Sequence, residues 1–307
     1  MYPYSQERKR SAEELESEDA ADNNTDSTAG DVEKAAPITA DGQMPQKKFY
    51  RQRAHCNPLS HNDSFQYPFT LEDTKWLEEH YPNLPVDKRH PTVLDCGCGF
   101  GGLTVALASL LPDQIILGLE IRAKVTEYVR LRIVALRKEH PGQYENCSVL
   151  RTNSMKFLPN FFPKESVEKM FFCFPDPHFK RKNHGRRIIS ERLLSEYAFL
   201  LKPEIGRLYC ITDVKELHEW HIEKCDSHPL FERLSEEVTK DDPCVEAMIQ
   251  ETEEAKKVER LGGDNTKGEK YFAVYKRITN SDMERLCASN FFPDIEEQED
   301  EAKDEKK

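Results

Sequence analysis

The chain has 307 residues, 37% of them hydrophobic, with 44 basic and 56 acidic side chains and a formal net charge of −12. That is enough for a real core in one large domain or two small ones; no apolar run approaches the roughly 20 residues that span a bilayer, and the N-terminus lacks a signal-like apolar stretch, so an intracellular globular protein is expected. Of the nine cysteines only Cys96 and Cys98 lie close together, without a C-x-x-C pair, so neither a disulfide framework nor a metal site is legible and the thiols read as reduced.

The acidity is confined to the ends. Residues 1–46 hold 11 acids and 4 bases and residues 294–307 hold 8 acids and 3 bases, which leaves 47–293 neutral overall. Both ends are rich in Asp, Glu and small polar residues and poor in aromatics, so they read as disordered tails that cannot bury enough apolar surface to order themselves. After the first tail, residues 47–59 (KKFYRQRAHCNPL) form a basic, aromatic-containing arm. Pro58 argues against a continuous helix there and suggests an extended path over the surface. Residues 71–81 predict a short helix that ends before Pro82.

From there the elements alternate. Residues 91–95 read as a buried strand, 101–111 as a helix, 114–120 as a second strand and 123–139 as a long amphipathic helix. Further strands are predicted at 148–151, 170–174 and 207–212, with a helix over 187–201 between the last two, and 271–277 (YFAVYKR) alternates as an edge strand of antiparallel type. The pattern is that of an α/β domain with a doubly wound, mostly parallel, Rossmann-like sheet spanning 47–280. Residues 281–307 form a C-terminal segment with its acidic tail, and no internal repeat is present.

The stretch VLDCGCGFGG at 93–102 puts an acid at the end of a strand and glycines in the turn that opens a helix. Gly97, Gly99 and Gly101 let the backbone pass close to a ligand. Glu120, at the end of the second strand, is placed to accept hydrogen bonds from both hydroxyls of a ribose. A nicotinamide dinucleotide and S-adenosylmethionine both suit this arrangement. Asp95 beside the glycines favours the second, because a carboxylate repels pyrophosphate but attracts a sulfonium and an α-amino group. Asn153, after the third strand, reads equally as an adenine contact or an ordinary loop residue.

The fourth strand, MFFCF, runs into PDPHFKRKNHGRR. Ligands of open α/β sheets sit at the carboxyl ends of strands, so Asp176 should face the reacting methyl group, with prolines on both sides stiffening the turn. Lys180, Arg181, Lys182, Arg186 and Arg187 then crowd together with His178, Phe179 and His184. Cations for phosphates and an aromatic for an unpaired base suit RNA, although a solvated loop or a nuclear-localisation signal has the same composition. Lys47, Lys48, Arg51 and Arg53, interleaved with Phe49 and Tyr50, suggest a second strip. A mobile acidic tail would then compete with phosphate for this basic face.

Through these residues the chain resembles the eukaryotic tRNA (guanine-N7-)-methyltransferases. The likeness runs from about Arg53 to Arg277 through R-A-H-x-N-P at 53–58, D-C-G-C-G-F-G-G at 95–102, G-L-E-I-R at 118–122, N-S-M at 153–155, F-P-D-P-H-F-K at 174–180, I-T-D at 211–213, H-P-L-F at 228–231 and T-E-E-A-K-K at 252–257. The resemblance implies a class I S-adenosylmethionine-dependent methyltransferase fold. It also implies that Gly97, Glu120, Arg122, Asn153, Ser154 and Cys173 line the S-adenosylmethionine pocket, that Asp176 is catalytic, and that Thr252, Glu253 and Glu254 close the site. Without it, 252–260 reads as a plain surface helix. Further implications are guanine 46 of the tRNA variable loop as target, a non-catalytic WD-repeat propeller subunit, no membrane partner, no metal and a nuclear location. An adenine-N6 or protein methyltransferase would need an Asn-Pro-Pro-like motif after the fourth strand, which is absent. A catalytically inactive RNA-binding scaffold of the same fold stays open.

Overall fold

The computed structural model describes residues 42–53, 57–60, 65–261 and 269–281. Most of both acidic tails, and Ala54 to Cys56 of the arm motif, therefore lie outside the described residues. The sheet has seven strands: β1 (Val93–Cys96), β2 (Ile116–Glu120), β3 (Cys147–Arg151), β4 (Lys169–Cys173), β5 (Arg207–Thr212), β6 (Phe231–Arg233) and β7 (Tyr271–Arg277). Their spatial order is β3-β2-β1-β4-β5-β7-β6. The first five pair in parallel, and β7 runs antiparallel to both β5 and β6.

The helices are α1 (Lys75–His80), α2 (Gly102–Leu110), α3 (Ala123–Glu139), α4 (Leu158–Phe161), α5 (Glu191–Leu200), α6 (Lys215–Asp226), α7 (Glu236–Thr239), α8 (Pro243–Gln250) and α9 (Glu253–Leu261). They cover both faces of the sheet, which is why its parallel strands read as continuous apolar runs. Successive residues of β4 go to opposite faces. Met170 and Phe172 join one core with Leu94, Leu208 and Tyr197, while Phe171 joins the other with Val93, Ile211 and Met248. Phe171 stacks on Tyr209 at 4.4 Å between ring centroids.

Several boundaries differ from expectation. The first helix is shorter than 71–81, and the helix expected from 187 begins at Glu191, because Arg181–Arg186 form a 3-10 turn and Arg187 is drawn towards the preceding loop. The arm is not extended throughout: Lys47–Phe49 make a 3-10 turn, and Tyr50 is buried edge-on against Tyr128. Among the described residues no helix is long and apolar enough to cross a membrane.

What the topology does for function is set by β1. Its neighbours are β2 on one side and β4 on the other, so the chain reverses its winding direction there and leaves a crevice at the carboxyl ends of the strands.

Candidate active site

A cavity of about 450 Å³ occupies that crevice, walled by the turns after β1, β2, β3, β4 and β5 and by the start of α9. In the turn after β1, Gly97 and Gly99 take φ of 83° and 54°, which a residue with a side chain adopts only at a cost. A Cβ on Gly97 would meet nothing within 4 Å. The backbone there is open to a ligand.

Glu120 ends β2 and is 4% exposed. Its Oε1 accepts from Arg122 N at 2.9 Å and Arg122 Nε at 3.0 Å, and its Oε2 accepts from Gly99 N at 3.1 Å and Arg122 Nη2 at 2.8 Å. Four donors fill the lone-pair capacity of a carboxylate. For a ribose diol to donate to this carboxylate, the Arg122 side chain must let go.

Asn153 and Ser154 also line the cavity. Asn153 Oδ1 accepts from Met155 N at 2.9 Å, and its Nδ2 donates to Pro58 O at 2.6 Å, which brings the arm against the same wall. Asp95 does not reach the wall. It lies beneath the glycine turn, 1% exposed, accepting from Thr104 Oγ1 at 2.7 Å. Burial pushes its carboxyl up to about 6, with Thr104 holding it down and the Glu120 charge adding to the rise. Cys173 is likewise off the wall, and burial raises its thiol well above the usual range, so it stays protonated.

The loop after β4 is strained at both ends. Phe174 and His178 have φ of 50° and 45°, left-handed conformations that cost on the order of 1–3 kcal/mol each for such residues. Between them Pro175 and Pro177 restrict the chain. Phe174 N donates to Ile211 O at 2.8 Å, fastening the loop to β5. Asp176, His178 and Arg186 line the cavity together with Asp213, which follows β5. Sequence reasoning gave Asp213 no role, although its place after a parallel strand, at the same edge as Asp176, was the available signal.

Of the residues expected to close the site, Glu253 and Glu254 are on the wall and Thr252 is not. Thr252 Oγ1 instead accepts from Ala255 N at 3.0 Å, capping α9. Glu253 is held by Lys47 and by Arg132 at 3.7 Å, while Arg132 Nη1 also donates to Phe100 O at 2.9 Å.

The basic residues divide. Lys48, Arg51, Arg181 and Lys182 are exposed, Lys180 is half-buried, and Phe179 presents 55% of its surface. Lys47, expected among the RNA contacts, is engaged with Glu253 and lies 5.4 Å from the Phe100 ring centroid. Arg187 is corrected outright: it is 2% exposed, bonded to Pro177 O and Glu216 with its guanidinium over Trp220, and cannot meet a phosphate. Among the described residues no group of three or more His, Cys, Asp or Glu is placed to hold a metal ion.

The sequence model of the "Putative methyltransferase" family matches residues 89–267. The chain is 51% identical over 246 residues to the tRNA (guanine-N(7)-)-methyltransferase of Eremothecium gossypii, covering 78% of this chain and 85% of that protein. It is 50% identical over 237 residues to the enzyme of that name from Bombyx mori, covering 77% and 97%. For the one from Zea mays the figures are 49% over 249 residues, 78% and 94%. The chain belongs to the tRNA (guanine-N(7)-)-methyltransferase family. Its strand order, with antiparallel β7 inserted between β5 and β6, is the class I methyltransferase arrangement, and the cofactor is S-adenosylmethionine. The cavity suits that cofactor: the glycine turn is unobstructed, and the carboxylates of Glu120, Asp176, Asp213, Glu253 and Glu254 outnumber the cations Arg122, Arg186 and Lys257 on its wall, a balance that favours a cationic ligand over a pyrophosphate.

Proposed function

We propose that this chain methylates N7 of a guanine in tRNA, guanine 46 of the variable loop, as the catalytic subunit of a nuclear heterodimer with a WD-repeat propeller protein. The observation that carries the reading is the strained loop from Phe174 to His178, which sets Asp176 on the same cavity wall as Glu120, with Arg186 alongside and the cations of the following turn next in sequence. The names of relatives at about half identity support tRNA and guanine N7. Target position, partner and location rest on the family resemblance.

Bound S-adenosylmethionine supplies a methyl group made electrophilic by its sulfonium. Glu120, Asn153 and the Gly97–Gly99 turn would hold it, with Glu253 and Glu254 closing over. Guanine N7 carries a free lone pair at neutral pH, so no residue need remove a proton before attack. The ring gains positive charge as the N–C bond forms. Asp176 orients the base through its N1–H and N2–H donor edge, or stabilises that charge electrostatically. The test is transfer of labelled methyl to total tRNA, with and without the propeller subunit, followed by nucleoside analysis. The reading requires 7-methylguanosine from the wild type and its loss in Asp176→Ala with cofactor binding intact. Binding of cofactor and tRNA without any methylated nucleoside would favour the inactive scaffold.

A further inference from the structure

Arg187 is a buried guanidinium that touches neither the cavity nor solvent, and its partners explain why it is there. Nε donates to the carbonyl of Pro177 at 2.8 Å, Nη2 donates to Glu216 Oε1 at 2.9 Å, and the guanidinium carbon stands 4.7 Å from the centroid of the Trp220 ring. Glu216 and Trp220 both belong to α6, the helix that follows β5. Trp220 is fixed in turn, its Nε1 donating to Ile189 O at 2.7 Å and its ring meeting His184 edge-on at 5.3 Å. One side chain thus ties the backbone of the loop after β4 to the helix after β5.

A guanidinium taken out of water needs all of this compensation, and packing alone would be served by an apolar residue. What only arginine does is donate in two directions from one plane while lying flat on an aromatic face. The carbonyl it grips belongs to the residue next to Asp176, inside the loop whose two ends sit in left-handed conformations. Such a conformation persists only where its surroundings hold it.

We propose that Arg187, braced by Glu216 and Trp220, is a positioning residue for methyl transfer: it holds the Pro177 carbonyl so that Asp176 keeps its place at the cavity. This rests on the reading of Asp176 as the group that meets the base.

The variant to make is Arg187→Lys, which keeps the charge and much of the volume but cannot reach both acceptors while stacking on Trp220. Single-turnover methylation of tRNA should fall by about tenfold or more, the scale of a small misplacement at the reacting centre, while S-adenosylmethionine affinity stays near wild type; the thermal midpoint falls because a buried cation loses part of its compensation, so turnover is read well below that midpoint. Glu216→Ala, at a side chain 57% exposed and so tolerated by the fold, should lose turnover in the same direction, and Glu216→Gln, which keeps an acceptor, should recover most of it. In an Asp176→Asn background, Arg187→Lys should cost much less than it does alone.

Unchanged turnover in folded Arg187→Lys overturns the proposal. So does a fall in cofactor affinity in step with turnover, or a full additive loss in the Asp176→Asn background. If Arg187→Lys does not fold, wild-type turnover in Glu216→Ala overturns it instead. Wild-type turnover in Asp176→Asn alone defeats the reading of Asp176 and is seen separately.

Discussion

Gly102, the first residue of α2, offers the sharpest test of how the site is closed. A Cβ built there stands 2.3 Å from the carbonyl oxygen of Glu251, 3.4 Å from its carbon and 3.6 Å from Glu253 N. Restoring ordinary contact needs a displacement of about 1 Å, and the obstacle is backbone that cannot swing aside. On one side Glu251 caps α8, anchored by buried Val245 and Met248. On the other it leads into Thr252, Glu253 and Glu254, so this second side must yield. Alanine suits a helix better than glycine by roughly 0.5–1 kcal/mol, so Gly102→Ala should fold. The carboxylates of Glu253 and Glu254 move with the backbone, and S-adenosylmethionine affinity should fall about tenfold, near 1.4 kcal/mol. Turnover should fall about 10- to 100-fold. Calorimetric titration with S-adenosylmethionine, single-turnover methylation and a thermal melt measure the three quantities. Affinity and turnover within about twofold of wild type would refute the argument that residues 252–254 close the site from this position.

Two further predictions concern charge. His221 is 1% exposed, its Nδ1 without a hydrogen-bond partner among the described residues, and burial, reinforced by the positive fields of His218 and Arg187, lowers its pKa to about 3. The unfolded chain takes up a proton near pH 6.5 that the native state refuses, so stability falls as pH drops from about 6.5 towards 3, by on the order of 4–5 kcal/mol in total from this residue. Thermal melts across that range should show a shallower decline for His221→Leu, and parallel curves would contradict this. Arg181 and Lys182 are exposed on the turn after the Phe174–His178 loop. Replacing both by Ala should weaken tRNA binding and lower the slope of log K against log salt by about 1.4–1.8, two phosphates' worth, with S-adenosylmethionine affinity unchanged; an unaltered slope would remove them from the RNA surface.

The elements most legible in the sequence were those whose burial leaves a simple pattern. The strands β5 and β7 and the long helix α3 fall where apolar runs, alternation and amphipathic spacing predict them, since a parallel strand covered on both faces, an alternating antiparallel strand and a helix lying on a sheet each have few alternatives. Helix α6 escaped notice for a physical reason. Its buried positions are Leu217, His221 and Cys225, one stripe at i, i+4 and i+8 in which only the leucine announces itself as apolar. The three-residue strand β6 buries one side chain, Phe231, too little for a periodicity. Conversely Ile188 and Ile189 look like the start of a helix, yet they form a bend between the 3-10 turn and α5.

The same distinction runs through the site. Gly97, Glu120 and Asp176 are legible because each stands at or just past the carboxyl end of a parallel strand, and the sheet fixes which edge its ligand occupies. Residues whose roles depend on what stands behind them are not. Arg187 sits in a run of cations where nothing local separates it from Arg186, and its direction is decided by Glu216, 29 residues further along the chain. Lys47 is a further case, committed to a carboxylate on the cavity wall, whereas Arg122 lines the cavity as expected. Basic residues near a catalytic motif therefore divide into those that meet solvent and those that neutralise or brace the site's own framework. Only the first kind can answer to phosphate. A surface inferred from composition counts both; of the cations expected to meet RNA, Arg187 and Lys47 belong to the second kind, while Arg181 and Lys182, on an exposed turn beside Phe179, belong to the first.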